Sequence, residues 1–90
     1  MPEENVFDLR QTERFPERIP VALHLQTPEG ETCESAITID ISIYGLQIET
    51  RARLAPGQLV TVPHFGDCRV VWVRTLGRDK PCQAGLKVVR

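Results

Sequence analysis

The sequence predicts an all-β fold, a six-stranded antiparallel barrel led by a flexible N-terminal arm. Three observations carry that expectation. Apolar and polar residues alternate with a period of two along residues 19–25 and 36–43, as in strands that bury one face. Turn-forming sequences punctuate the chain at short intervals, among them Thr27-Pro28-Glu29-Gly30 and Leu54-Ala55-Pro56-Gly57, where proline fixes the bend and glycine accepts positive φ. No stretch carries a convincing helical repeat. Six short strands so arranged make a sandwich or a barrel, and closure spares so small a sheet its exposed edges.

Residues 1–17 read as the arm. They carry Glu3, Glu4, Asp8, Glu13 and Glu17 against Arg10 and Arg14, with only Val6, Phe7, Leu9 and Phe15 apolar. Arg10, Arg14 and Arg18 fall four apart, which a helix would align. Pro16 opposes this, because it pushes Phe15 toward an extended conformation and has no N–H to donate. Residues 18–90 form the expected barrel.

The first strand covers residues 19–25, with Ile19, Val21, Leu23 and Leu25 on one side and Ala22 and His24 on the other. The second culminates in Ala36-Ile-Thr-Ile-Asp-Ile-Ser-Ile-Tyr-Gly45. There Ile37, Ile39, Ile41 and Ile43 are expected to face the core, with Thr38, Asp40 and Ser42 on the opposite side. Residues 46–50 continue with Leu46 and Ile48 inward and Gln47 and Glu49 outward. A short strand at 59–62 stops at Pro63, and Gly66-Asp67 is read as a turn. Residues 68–76 form the most apolar run, expected to be covered on both faces. Gly77-Arg78-Asp79-Lys80 turns again, and residues 83–89 supply the last strand.

Ninety residues make one domain. Its composition, 41% hydrophobic and 26% charged, is that of a folded protein rather than a disordered tail. A net charge of -1 argues against a nonspecific nucleic-acid binder, so an anionic ligand must meet a local arginine cluster. No run has the length of a membrane span, and Met1 opens an acidic segment rather than an export signal, so a cytoplasmic protein is expected. Cys33, Cys68 and Cys82, with His24 and His64, are scattered singly, without the close pair that structural zinc sites use. Reduced thiols are the expectation, with no metal. Asp40 and Ser42 share a face, but a hydroxyl nucleophile needs a base and neither histidine is placed near them. Neither catalysis nor a catalytic cofactor is expected.

Two motifs stand out. Arg14-Phe15-Pro16-Glu17-Arg18 fits R-x-x-x-R just ahead of the first strand, and Asp40-Ile41-Ser42-Ile43-Tyr44-Gly45 fits D-x-S-x-x-G at the end of the second. Arginine presents forked donors that match phosphate oxygens and the O6/N7 edge of guanine. A carboxylate only accepts, which suits the N1–H and N2–H₂ donors of guanine. In this order and at this separation the motifs resemble the PilZ domain family, bacterial receptors for the second messenger cyclic di-GMP. The resemblance runs from about Arg14 to the last strand. It includes Ile19-Pro20-Val21, Leu54-Ala55-Pro56-Gly57, Val71-Trp72-Val73 and Ala84-Gly85-Leu86.

The resemblance implies a six-stranded barrel (a PilZ-like split barrel) that holds cyclic di-GMP on its outer surface under an arm that folds over the ligand. Arg14 and Arg18 would grip phosphates and guanine edges, Asp40 would accept from guanine, Ser42 would assist at the ligand backbone, and Gly45 would leave room for the nucleotide. A sensor of this kind would signal to an effector protein, either as a stand-alone adaptor or as one domain of a longer protein. Family members that take a stacked ligand pair tend to carry another arginine just before the first motif arginine. Glu13 holds that place here, which implies one ligand per chain.

Other readings compete. Arg18 could pair with Glu17 or Asp40 while Ser42 merely decorates the strand. The barrel could be a protein-interaction module of the same fold that does not bind nucleotide, although such members tend to lack the arginine motif. A single-strand RNA binder is disfavoured by the 6% aromatic content and the lack of a basic stripe. Trp72 and Tyr44 are read as core and rim rather than ligand platforms.

Overall fold

The computed structural model describes residues 17–89, so the expected arm lies almost wholly outside the described residues. Six strands follow in order: β1 (Pro20–Thr27), β2 (Gly30–Ser42), β3 (Gly45–Thr50), β4 (Leu59–Val62), β5 (Gly66–Thr75) and β6 (Cys82–Val88). They close into an antiparallel barrel with the spatial order β1-β2-β3-β6-β5-β4. The expected fold class is the observed one. No helix among the described residues is long and apolar enough to cross a membrane.

Every strand supplies the interior: Leu23 and Leu25 from β1, Ala36 from β2, Leu46 and Ile48 from β3, Val60 and Val62 from β4, Cys68 and Val70 from β5, and Ala84 and Leu86 from β6. Each fully buried leucine, isoleucine or valine contributes about 1.5–3 kcal/mol over its exposed state. The turns fall where proline and glycine place them. Gly30 closes the β1–β2 hairpin at φ 123°, with the Thr27 hydroxyl donating to its carbonyl at 2.6 Å. The loop before β4 turns through Gly57, φ 91°, and Gln58 N–H donates to Ala55 C=O at 3.1 Å.

Three expectations need correction. The alternation in β2 does not put all four isoleucines inside. A β-bulge between Thr38 and Asp40 shifts the register against β3 by one residue, and a bulge exchanges the faces beyond it. Ahead of the bulge Thr38 faces inward and is buried completely, while Ile37 is 39% exposed. Ile41 packs on the core, and Ile43, past the strand end, is exposed.

A second bulge, between Val70 and Trp72, does the same in β5. Val70 is inward, Val71 is 53% exposed, and Leu76 beyond the strand is exposed as well. This strand is not covered on both faces. Finally, the turn before it spans residues 63–65 rather than Gly66-Asp67. His64 adopts φ 73° there and Gly66, φ 92°, opens the strand.

Candidate ligand-binding site

Leu46 and Ile48 point inward, so Gln47 and Glu49 on the same strand face outward. The pairing registers extend these positions into rows across the outer wall of four strands, since residues directly opposite share a face. One row runs Ile37, Glu49, Gln83, Arg74; the next, Asp40, Gln47, Gly85, Trp72; the last, Ser42, Gly45, Lys87, Arg69. At about 4.8 Å per strand, this is a compact polar wall with one aromatic residue and several cations.

Arg18 reaches this wall from just before β1. Its Nη2 donates to Glu49 Oε1 at 3.0 Å, so its observed partner is neither Glu17 nor Asp40. The pair is open to solvent, with the arginine side chain 58% and the glutamate 25% exposed, and such pairs hold only about 0–1 kcal/mol. Asp40, half-buried, lies in the adjacent row opposite Gln47. Arg18 and Asp40 are thus brought to one patch. Arg14 lies outside the described residues.

Ser42 and Gly45 have duties within the barrel. The Ser42 hydroxyl donates to Gly45 C=O at 3.3 Å and accepts from Tyr44 N–H at 3.2 Å, holding the β2–β3 turn. A Cβ on Gly45 would stand 1.9 Å from the carbonyl oxygen of Leu86. The glycine is therefore demanded by the approach of β6, with or without a ligand. Tyr44 is exposed on the same turn.

Sequence reasoning did not name the other members of the wall as site residues, Gln47, Glu49, Lys87 and Trp72 among them. Trp72 is not a core residue. Its indole lies across Gly85, where a Cβ would meet Nε1 at 2.2 Å, so a residue without a side chain opposite lets the ring lie on the outer wall. The Arg74 guanidinium stands 5.6 Å from the ring centroid, a cation–π contact. The only signal in the sequence was the Trp72 and Gly85 pair itself, whose meaning needs the β5–β6 register.

A groove of about 730 Å³ lies beside the wall, bordered by Pro20, Ala36, Ile37, Arg51 and Pro81. It shares Ile37 and Glu49 with the wall but none of Asp40, Ser42 and Gly45. Asp40, Ser42 and Gly45 belong to the open wall rather than this concavity. Among the described residues no three His, Cys, Asp or Glu side chains gather as metal ligands would. The thiols are separate: Cys33 exposed, Cys68 buried, Cys82 half-buried.

The class of domain is a small closed antiparallel barrel with Arg18 laid from its N-terminal lead onto a polar outer wall. The PilZ domain family model matches residues 8–90, and the chain belongs to that family. No curated protein and no solved structure matches it.

Proposed function

We propose that the outer wall of β2, β3, β6 and β5 binds cyclic di-GMP and that the protein is a sensor rather than an enzyme. The observation that carries the reading is the meeting of Arg18 and Asp40, 22 positions apart in sequence, on adjacent rows of one wall through Glu49 and Gln47. A cation for phosphate and an acceptor for guanine N1–H and N2–H₂ then stand within one ligand's reach. Arg14 supplies a second guanidinium from the arm. Ser42 and Gly45 keep the turn beneath the ligand in shape. The Trp72 ring offers a flat face for a base, with Lys87 a further cation on the lower row.

Binding orders residues 1–17 over the wall and so changes the surface offered to an effector protein, in the cytoplasm where the messenger is made. The amides of that segment gain hydrogen-exchange protection with ligand. Calorimetric titration of cyclic di-GMP tests the reading, with one ligand per chain as the expected ratio and a shift toward two in Glu13→Arg. Absence of binding would leave the interaction module that takes no nucleotide.

A further inference from the structure

Thr38 is a polar residue buried completely in a barrel filled mostly by aliphatic side chains. A hydroxyl so placed is costly unless it is hydrogen-bonded. Its partners come from the lead into β1. The hydroxyl donates to Glu17 C=O and accepts from Ile19 N–H at 2.8 Å, while Thr38 N–H donates to Ile19 C=O at 2.9 Å. Glu17 C=O belongs to the peptide plane before Arg18 and Ile19 N–H to the plane after it. The backbone has only two soft dihedrals per residue, and for Arg18 both lie between these two planes. One buried hydroxyl therefore fixes φ and ψ of Arg18.

We infer that Thr38 is a positioning residue for ligand binding, a clamp that aims Arg18 along the outer wall before any ligand arrives. The inference rests on the cyclic di-GMP reading for its effect on affinity, and on the free protein alone for its effect on Arg18. A residue ordered during folding does not have to be ordered again on binding. The bulge just past Thr38 belongs to the same device: it lets the threonine turn inward to grip the chain while Asp40, two residues on, stands on the outer wall. Thr38 thus ties the placement of the arginine to the strand that carries the carboxylate.

The test uses the full chain as wild type, Thr38→Val, Thr38→Ser, Arg18→Ala and the double variant Thr38→Val with Arg18→Ala. Thr38→Ala serves should the valine variant fail to fold. Nitrogen-15 relaxation of the ligand-free proteins reads the order of the Arg18 backbone and Nε. Arg18 should become more mobile in Thr38→Val and stay near wild type in Thr38→Ser, which keeps the hydroxyl. Titration with cyclic di-GMP should show about a threefold to tenfold weaker Kd for Thr38→Val, the size of one neutral hydrogen bond. It should show restoration by serine and no added loss when Arg18 is already alanine. Unchanged Arg18 order in Thr38→Val overturns the clamp, and so does a fully additive loss in the double variant. A wild-type protein that binds no cyclic di-GMP removes the ligand reading, while the relaxation data still decide the clamp.

Discussion

The guanidinium of Arg18 rests on the carboxylate of Glu49, 3.0 Å away and 31 positions along the chain. The arginine proposed to grip a phosphate is therefore already engaged, by an acceptor that the phosphate would displace. Because the pair is exposed, the competition is weak, about 0.2–1 kcal/mol. Glu49→Gln should tighten cyclic di-GMP binding by up to about fivefold in calorimetry at low salt. The gain should shrink as salt screens the pair in the parent protein. Weaker binding in Glu49→Gln would mean that the carboxylate steers Arg18 toward the ligand instead of holding it back.

The arginines themselves are expected to matter for affinity and not for the fold. Arg14→Ala and Arg18→Ala should each lose on the order of 1.5–3 kcal/mol of binding, the value of a hydrogen bond to a charged group. The Arg18 side chain is exposed and outside the interior cluster, and both thermal midpoints should stay within about a degree or two. Unaltered binding in both variants contradicts the proposed site.

In the proposed site Asp40 is the residue that would read base identity. Asp40→Ala should weaken cyclic di-GMP binding and narrow its preference over cyclic di-AMP, whose adenine presents a different donor pattern. Trp72 lies in the same row, but an aromatic face is indifferent to base identity. Trp72→Phe should therefore change affinity for both dinucleotides in proportion. A preference for guanine that survives Asp40→Ala moves base reading elsewhere on the wall.

The six strands and most of the turns were legible because their signals are local. The short strand Leu59–Val62 is bounded by Gly57 and Pro63, and Gly30 can take the φ that its hairpin requires. The faces of β2 and β5 were not legible, because each carries a bulge that no glycine announces. Four isoleucines in perfect alternation look like one buried face. Only the pairing with β3 reveals that the register slips after Thr38. The same limit hid the wall. Gln47, Gly85 and Trp72 are neighbours through two long-range pairings, and the partner of Arg18 lies on β3. The motifs drew attention to Arg18 and Asp40, whereas the Glu49 partner of Arg18 and the duties of Ser42 and Gly45 inside the turn and barrel required coordinates.

Gly45 gives a prediction that separates those duties. Its missing Cβ would lie 3.0 Å from both the Leu86 carbonyl carbon and Lys87 Cα, besides the closer carbonyl oxygen. All of these are backbone atoms of β6 and cannot rotate aside. Gly45→Ala should cost about 1–3 kcal/mol or more of stability, read by urea unfolding with no ligand present. A ligand-free stability equal to the parent's would confine the glycine's role to leaving room for the nucleotide.

Cys68 makes the barrel sensitive to alkaline pH. Burial pushes its thiol pKa up, and the neighbouring charge of Asp67 pushes it further. The folded state therefore prefers the neutral thiol, whereas the unfolded chain ionises it near the ordinary value of about 8.5. Below that pH the preference contributes its full stability. As pH rises from about 8.5 through the higher folded pKa the unfolded state loses its proton first, so the stabilisation drains away. The stability difference between wild type and Cys68→Val, followed by urea unfolding, should move against the wild type across that window and stay flat below it. Thiol labelling at neutral pH should follow exposure, with Cys33 reacting quickly and Cys68 only on unfolding. A difference that is independent of pH, or rapid labelling of Cys68 in the folded protein, would show that the interior around this thiol opens to water.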